Sequence, residues 1–274
     1  MHPKVREVGA DASWIGTEMS HWDVLLRILN NGYEINPLLQ IPWVTTRICR
    51  ADWLHVTDQG VTPDFIGNLF YVCQSKVPGA SVKARTLRLS AKMQESNARR
   101  GVQDKLDVLL PALFMQKKKG FKLRCSAAKA RALVPFAEEI AVELLSPHVP
   151  AENALLLAAQ HLNQLHATLS EACIFQTDLA REHSRKFALL YVSLHDFHHA
   201  SDDRKFRIKP KLHLFMHITH DGSRPARHWN YRDEDWGGSV ARLCRRRGGL
   251  LSCMAMSRNV LTRFVLGVPV PRIV

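Results

Sequence analysis

The sequence contains no CxxC pair, because its six cysteines lie far apart along the chain. A zinc site built on paired cysteines is therefore excluded. No apolar run approaches the roughly 20 residues that cross a bilayer as a helix, and the first residues do not have the pattern of a secretory leader. These absences predict an intracellular protein whose thiols stay free in a reducing compartment.

Several enzyme motifs are also missing. The sequence has no Walker loop, no GxGxxG loop and no GxSxG turn, so the common phosphate-binding loops and the serine hydrolase nucleophile lack support. No cysteine has a neighbouring base or cation in the sequence that would activate its thiol. The function must therefore be sought in charge and in less common motifs.

Positive charge is what the sequence has in excess. It contains 38 Lys and Arg against 25 Asp and Glu, which gives a net charge of +13 and a pI of about 9.8. Residues 61–145 carry net +8 and residues 201–274 net +9, whereas residues 1–60 and 146–200 each carry net −2. Two basic blocks on either side of an acidic one predict a polyanionic partner, either nucleic acid or an acidic membrane surface.

Apolar residues recur at helical spacing through the middle of the chain, and 46% hydrophobic content is enough for a packed core. Thr62, Pro63 and Asp64 are the residue types of a helix start, with Thr62 as a hydroxyl N-cap. Pro111 predicts a bend and Pro135 a kink. Strands are expected only near the chain ends, for instance over residues 250–256. The predicted helices cover about residues 62–76, 81–101, 103–115, 127–145, 152–172, 178–199, 210–219 and 233–246.

Two groups of residues could carry chemistry through histidine. Asp52 and His55 lie three residues apart, so their side chains can meet on one helical turn; the alternative is a capping aspartate beside a partly buried histidine. His213, His217 and His220 share one helix face, where neutral imidazoles can bind zinc. The alternative for these three is packing against a core with local hydrogen bonds.

Two further groups are charged. Asp233, Glu234 and Asp235 could supply one or two carboxylates to an ion, or form a solvated first turn that complements a helix dipole. Arginine offers bidentate geometry to phosphates. The candidate phosphate-binding residues are Lys117, Lys118, Lys119, Lys209, Lys211, Arg242, Arg245, Arg246 and Arg247, with a solvated basic surface as the alternative.

Taken in order, these pieces resemble the catalytic region of CACTA-type cut-and-paste DNA transposases. Asp52-Trp53-Leu54-His55 resembles the family's Asp-x-x-His motif, and residues 82–89 (VKARTLRL) resemble the lysine- and arginine-rich stretch that follows it. The apolar, histidine-bearing residues 212–218 and then residues 228–235 (HWNYRDED) resemble the family's apolar helix, Trp-x-Tyr and final glutamate. By this match Glu234 takes the position of the last acid of the DDE triad.

The resemblance implies an RNase H-like core interrupted by a helical insertion. In such enzymes the acids hold divalent metal ions that activate water or a 3′-hydroxyl at a phosphodiester. It implies Glu234 as a catalytic acid and metal ligand, Asp52 as a second catalytic acid, and Mg²⁺ as the cofactor if the protein is active. Little chain precedes Asp52 to supply the strands of the first two acids, so the expectation is a truncated or decayed copy without nuclease activity.

The predicted fold is mainly α, a helical block with a partial RNase H-like α/β portion contributed by the chain ends. The predicted domains are a partial N-terminal α/β segment (1–60), a helical insertion-like domain (61–200) and a basic C-terminal segment that carries the last acid (201–274).

The predicted function is that of a mobile-element-derived protein that binds the DNA backbone without sequence preference. It resembles the C-terminal part of a DDE transposase, contacts no membrane, can form a homo-oligomer and works in the nucleus; residues 245–247 also resemble a nuclear-localisation patch. The alternative is a non-catalytic α-helical interaction module that binds protein or RNA. A third hypothesis is a histidine-rich metalloprotein.

Overall fold

The computed structural model describes most of the chain up to residue 231. The described residues are 6–9, 11–17, 19–41, 44–45, 50–115, 120–169, 175–200, 205–220, 224–227, 229–231, 234, 237–238, 241, 254–255, 258 and 262. Within them the α-helices are α1 (His21–Asn30), α2 (Thr62–Lys76), α3 (Val82–Arg99), α4 (Pro111–Phe114), α5 (Ala127–Ala132), α6 (Val134–Leu144), α7 (Pro150–Ala167), α8 (Thr177–His199) and α9 (Pro210–His220).

The described part of the chain is built from helices and contains no strand. The mainly α prediction is thereby confirmed, whereas the α/β portion at the chain ends receives no support. In the segment 1–60 the local chemistry favours helix. Ser20 and Asp23 form a reciprocal capping box at the start of α1, and Pro37 opens a 3-10 turn over Pro37–Gln40. The strand suggested for residues 250–256 lies mostly outside the described residues.

Helix α2 is the centre of the core. Phe65, Ile66, Leu69 and Phe70 are fully buried, and the helix packs against α3, α4, α5 and α6. Most of its residues are buried, including the polar side chains of Asp64 and Asn68. Gly67 permits the closest approach: a Cβ added there would lie 2.1 Å from the carbonyl oxygen of Phe121.

A π-helix over Leu54–Val61 runs directly into α2. The predicted bounds 62–76 of α2 are confirmed, but Thr62 is not an N-cap. Val61 before it is already helical, no side chain caps the helix, and the Thr62 N–H donates to the carbonyl of Thr57. The sequence pattern of a helix start therefore marks a change of helical register. Such π segments occur frequently at functional sites.

The helix predictions for residues 81–101, 127–145, 152–172, 178–199 and 210–219 hold with adjusted bounds, whereas the helix predicted over 233–246 lies mostly outside the described residues. Ser81 caps α3 through its hydroxyl oxygen, which accepts from the N–H of Ala84, and the break between α5 and α6 lies at Leu133, two residues before Pro135. The helix predicted over 103–115 is wrong except at α4. Leu110 is held extended (φ −119°, ψ 150°) before Pro111, because proline disfavours helical geometry in the residue that precedes it.

The second half of the core is a run of packed helices. Helix α7 packs against α6 and most extensively against α8, α8 packs against α9, and α9 packs against the π-helix. The chain divides into two compact units, Met1–Trp229 and Asn230–Val274. The helical block predicted over 61–200 lies in the first unit, together with α9. The three-segment division 1–60, 61–200 and 201–274 stays a prediction.

Candidate functional site

Asp52 and His55 do come together, as a local cap at the start of the π-helix. The Asp52 carboxylate accepts from the backbone N–H groups of Leu54 (3.3 Å) and His55 (3.0 Å). Its Oδ2 lies 2.5 Å from His55 Nδ1. This is the geometry of a capping aspartate beside a partly buried histidine, the alternative to a catalytic pair. A catalytic role for Asp52 stays a prediction.

Glu234 belongs to the second unit, Asn230–Val274. It is exposed, and its backbone N–H donates to the carbonyl of Asn230 at 2.9 Å, as in a helical turn. Asp233 and Asp235 lie outside the described residues, as do the candidate phosphate ligands Lys117, Lys118, Lys119, Arg242, Arg245, Arg246 and Arg247. Of the predicted phosphate-binding residues, the structure therefore describes Lys209 and Lys211.

Lys209 and Lys211 belong to a larger arrangement, the basic strip, which consists of Lys205, Arg207, Lys209 and Lys211. Residues 205–209 alternate between charge and core: Phe206 and Ile208 are buried, Arg207 is exposed, and Lys205 and Lys209 are partly exposed. The alternation K-x-R-x-K is visible in the sequence, and reading it would have added Lys205 and Arg207 to the predicted site.

The backbone of the strip is held firmly at Phe206. Its N–H donates to the side-chain oxygen of Asn68 on α2 at 3.0 Å, and its φ of 49° lies in the left-handed region. Non-glycine residues adopt that region at some energetic cost, which the surrounding packing must offset. Two polar side chains of the buried face of α2 thus fix the strip, because Asp64 also pairs with Lys209 at 2.6 Å.

Two lysines cover the carbonyls of the π-helix. Lys211 donates to the carbonyl of His55 at 2.7 Å, and Lys122 donates to the carbonyl of Gln59 at 2.7 Å. Pro63 has no N–H to offer the Gln59 carbonyl four residues before it, so the ammonium of Lys122 takes that place. Gly60 leaves room for this packing, since a Cβ there would lie 2.6 Å from Lys211 Cδ.

Positive charge converges where the strip meets Lys122. Burial lowers the pKa of Lys122, the charges of Lys209 and Lys211 lower it further, and Asp64 opposes the shift. The field of Lys209 and Lys211 thus reaches Lys122. Three ammonium groups around one carboxylate leave this region positive.

Aromatic rings adjoin the basic strip. Tyr71 and Phe121 stack with centroids 3.9 Å apart and planes at 28°, and the Lys205 ammonium lies 5.3 Å from the Tyr71 ring centre. The cavity between the strip and α2, lined by residues such as Asn68 and Tyr191, measures only about 10 Å³. That volume is room for about one water molecule, so an anion would bind on the outside of the strip.

A cluster of buried polar side chains lies beside the π-helix, and the sequence did not predict it. Trp53 Nε1, Thr57 Oγ1 and His166 Nδ1 have no hydrogen-bond partner among the described residues. His166 Nε2 lies 3.8 Å from Asp58 Oδ1, which is too long for a hydrogen bond. Burial lowers the pKa of His166 to about 3, and the charge of Arg131 adds to the effect. His166 is therefore neutral at pH 7.

The three histidines predicted to bind zinc lie on α9, packed against the ring of Trp14. The Trp14 ring contacts all three imidazoles, most closely that of His217 at 4.2 Å between centroids. His213 Nε2 and His217 Nε2 are 3.0 Å apart. In the part of the chain that the structure describes, no group of three or more His, Cys, Asp or Glu side chains could hold a metal ion. The three-histidine zinc site is therefore not formed among these residues, and Mg²⁺ as a cofactor stays a prediction.

Comparisons with known proteins found no match: no protein-family model, no curated protein and no solved structure is similar to this chain. Among the described residues, no helix has both the length and the apolar character needed to cross a membrane.

Proposed function

We propose that this chain binds the phosphate backbone of DNA through the basic strip. The observation that carries the proposal is the alternation of Lys205, Arg207 and Lys209 with the buried Phe206 and Ile208. Burial of the two apolar side chains leaves Arg207 exposed and Lys205 and Lys209 partly exposed. Lysine and arginine contacts to phosphate supply affinity without reading base sequence.

The basic strip combines ammonium groups that are held in place with one exposed guanidinium. Lys209 is paired with Asp64 at 2.6 Å and Lys211 with a backbone carbonyl at 2.7 Å, so both ammonium groups are held in place before a ligand arrives. Arg207 is exposed, and its guanidinium can present two parallel N–H donors to one phosphate. Arg207 is therefore the residue of the strip best suited to a direct phosphate contact.

The wider proposal is a mobile-element-derived protein that resembles the C-terminal part of a DDE transposase and has no nuclease activity. The order of the motifs supports the transposase relationship and its RNase H-like part. The lack of activity is supported at Asp52, whose carboxylate is engaged by two backbone N–H groups and by His55. A nuclear location and a homo-oligomer belong to the same proposal.

Fluorescence anisotropy with a labelled DNA duplex of arbitrary sequence tests the role of the strip. Arg207→Gln should weaken binding and reduce the slope of log K against log salt by about 0.9, the value for one lost phosphate contact. Arg99→Gln is the matched control, since it removes the same charge from a side chain already paired with Glu139 at 2.8 Å. Equal effects of the two substitutions would show that only net charge matters, and would refute a specific role of the basic strip in DNA binding.

One observation favours the second function, an interaction module. Trp22, Leu26 and Leu29 lie on one face of α1, and each is more than half exposed (72%, 54% and 53%). An apolar helix face in water is typical of an interaction site. A second copy of the chain is the occupant that fits. Asp23 and Arg27 next to this face carry opposite charges, which suits the self-complementary patch of an isologous interface.

Sedimentation equilibrium tests the second function. The wild-type chain should form a dimer, and Leu26→Glu should be a monomer that still binds DNA. A wild-type chain that remains monomeric at all accessible concentrations would contradict self-association through α1.

A further inference from the structure

Two histidines face each other across the most extensive helix pair of the fold. His161 lies on α7 and His183 on α8, and both are partly exposed. Their Nδ1 atoms are 3.1 Å apart, and their ring planes are inclined by 32°. In the structure as it stands, this contact is a hydrogen bond in which one imidazole donates to the other.

The separation also fits two ligands of one transition-metal ion. Zinc–nitrogen bonds measure about 2.0–2.1 Å, so two nitrogen ligands lie about 2.9 Å apart at a right angle and about 3.3 Å apart at a tetrahedral angle. The observed 3.1 Å falls between these values. The distance between the two nitrogens is therefore already that of two ligands of one ion, and binding requires the rings to reorient toward it.

We propose that His161 and His183 bind one divalent transition-metal ion through their Nδ1 atoms. The ion belongs to the borderline class that prefers imidazole, such as Zn²⁺ or Cu²⁺. Water fills the remaining positions, since no third His, Cys, Asp or Glu completes a metal-binding group among the described residues. The site links α7 to α8 and is independent of DNA binding by the basic strip.

Steric access favours a cation at this place over the other histidine pair. Glu182 and Lys186 pair with each other at 2.5 Å, and their charges act on both imidazoles in opposite directions. The pair His213 and His217 has a similar nitrogen separation of 3.0 Å. There the Trp14 ring lies against both imidazoles, so an ion would have to displace it.

Thermal unfolding with added Zn²⁺ tests the proposal. An ion that binds the folded chain and not the unfolded one raises Tm, by about 5 °C at a concentration about one hundred times Kd. His161→Gln and His183→Gln should each abolish the rise, and calorimetry should count one ion per wild-type chain. The matched control is the double variant His213→Gln, His217→Gln, which should keep the rise.

A second readout does not depend on stability. Electron paramagnetic resonance of the chain with one equivalent of Cu²⁺ should show hyperfine splitting from two imidazole nitrogens, and from one in His161→Gln. The proposal is overturned if Zn²⁺ causes no rise in Tm, or if the rise persists in either His161→Gln or His183→Gln. A variant that unfolds without metal is replaced by the other single variant.

Discussion

Acidification should destabilise this protein through His166, which is 9% exposed. Its pKa in the folded chain is about 3, whereas a histidine in an unfolded chain titrates near 6.5. Between these values the unfolded state binds a proton that the folded state does not. Stability is therefore full above pH 6.5 and falls as the pH is lowered toward 3.

The size of the effect follows from the pKa difference. Each pH unit below 6.5 costs about 1.4 kcal/mol until the folded-state pKa is reached. Between pH 7 and pH 5 the loss is about 2 kcal/mol, which is a large fraction of the stability of a typical domain. Two charges face His166 across its packing: Asp58 on the π-helix, 3.8 Å from Nε2, and Arg131 on α5, which disfavours the charged form.

Urea unfolding at pH 7, 6 and 5 measures this loss when wild type is compared with His166→Phe. Phenylalanine keeps a ring beside Trp53, whose indole lies edge-on at 5.6 Å, but it does not titrate. Any packing cost of the substitution is the same at each pH, and the other histidines titrate equally in both proteins. The difference in unfolding free energy between the two proteins therefore reports the titration of His166 alone. From pH 7 to pH 5, the wild type should lose about 2 kcal/mol more stability than the variant.

Parallel curves for the two proteins would refute this reasoning. They would mean that His166 keeps an ordinary pKa, either because Asp58 forms an ion pair with the imidazolium or because water reaches the ring. A wild type that gains stability on acidification relative to the variant would establish the ion pair directly, since the folded state would then bind the extra proton.

Two further predictions concern packing and thiol chemistry. Gly67→Ala should lower the free energy of unfolding in urea by about 2 kcal/mol. Alanine gains about 1 kcal/mol in a helix interior, but its Cβ would lie 2.1 Å from the backbone oxygen of Phe121, and relieving such a clash costs about 3 kcal/mol. An unchanged midpoint would show that the backbone of residues 120–124 moves aside at little cost. Burial raises the pKa of Cys73 to about 12 and that of Cys125 to about 11. Timed alkylation with peptide mapping should therefore find Cys73 unmodified in the folded chain and Cys125 modified about a hundredfold more slowly than an ordinary thiol. Rapid labelling of Cys73 would instead indicate local opening of α2.

The helices were largely predictable because their signals are local. Ser81 caps α3 as its residue type predicts, and Pro135 marks the region where α5 gives way to α6. The segment 103–110 shows where local spacing fails. Its apolar residues recur at helical intervals, yet Leu109 donates its N–H to the Ser90 hydroxyl at 2.9 Å, and the residue before Pro111 is extended. A tertiary hydrogen bond and a proline outweigh the periodicity there.

The π-helix could not be predicted from the same signals. Thr62 and Pro63 have the composition of a helix start, but this pattern is equally compatible with a helix that continues from upstream in another register. What decides between the two is the partner of the Gln59 carbonyl, and that partner is Lys122, 63 residues away. Contacts between residues so far apart in the sequence produce no periodic pattern. For the same reason the cluster of polar side chains around His166 was not predictable.

The lysines of the candidate site serve the fold and the proposed ligand together, and this bears on how the site would bind. Lys211 and Lys122 each hold one backbone carbonyl, so their side chains have already lost much of their rotational freedom on folding. Ordering a free lysine side chain at an interface costs about 0.5–1.5 kcal/mol. Under the proposed function, phosphate binding beside these fixed charges would require less ordering than binding to a flexible surface, and the exposed Arg207 would make the direct contact.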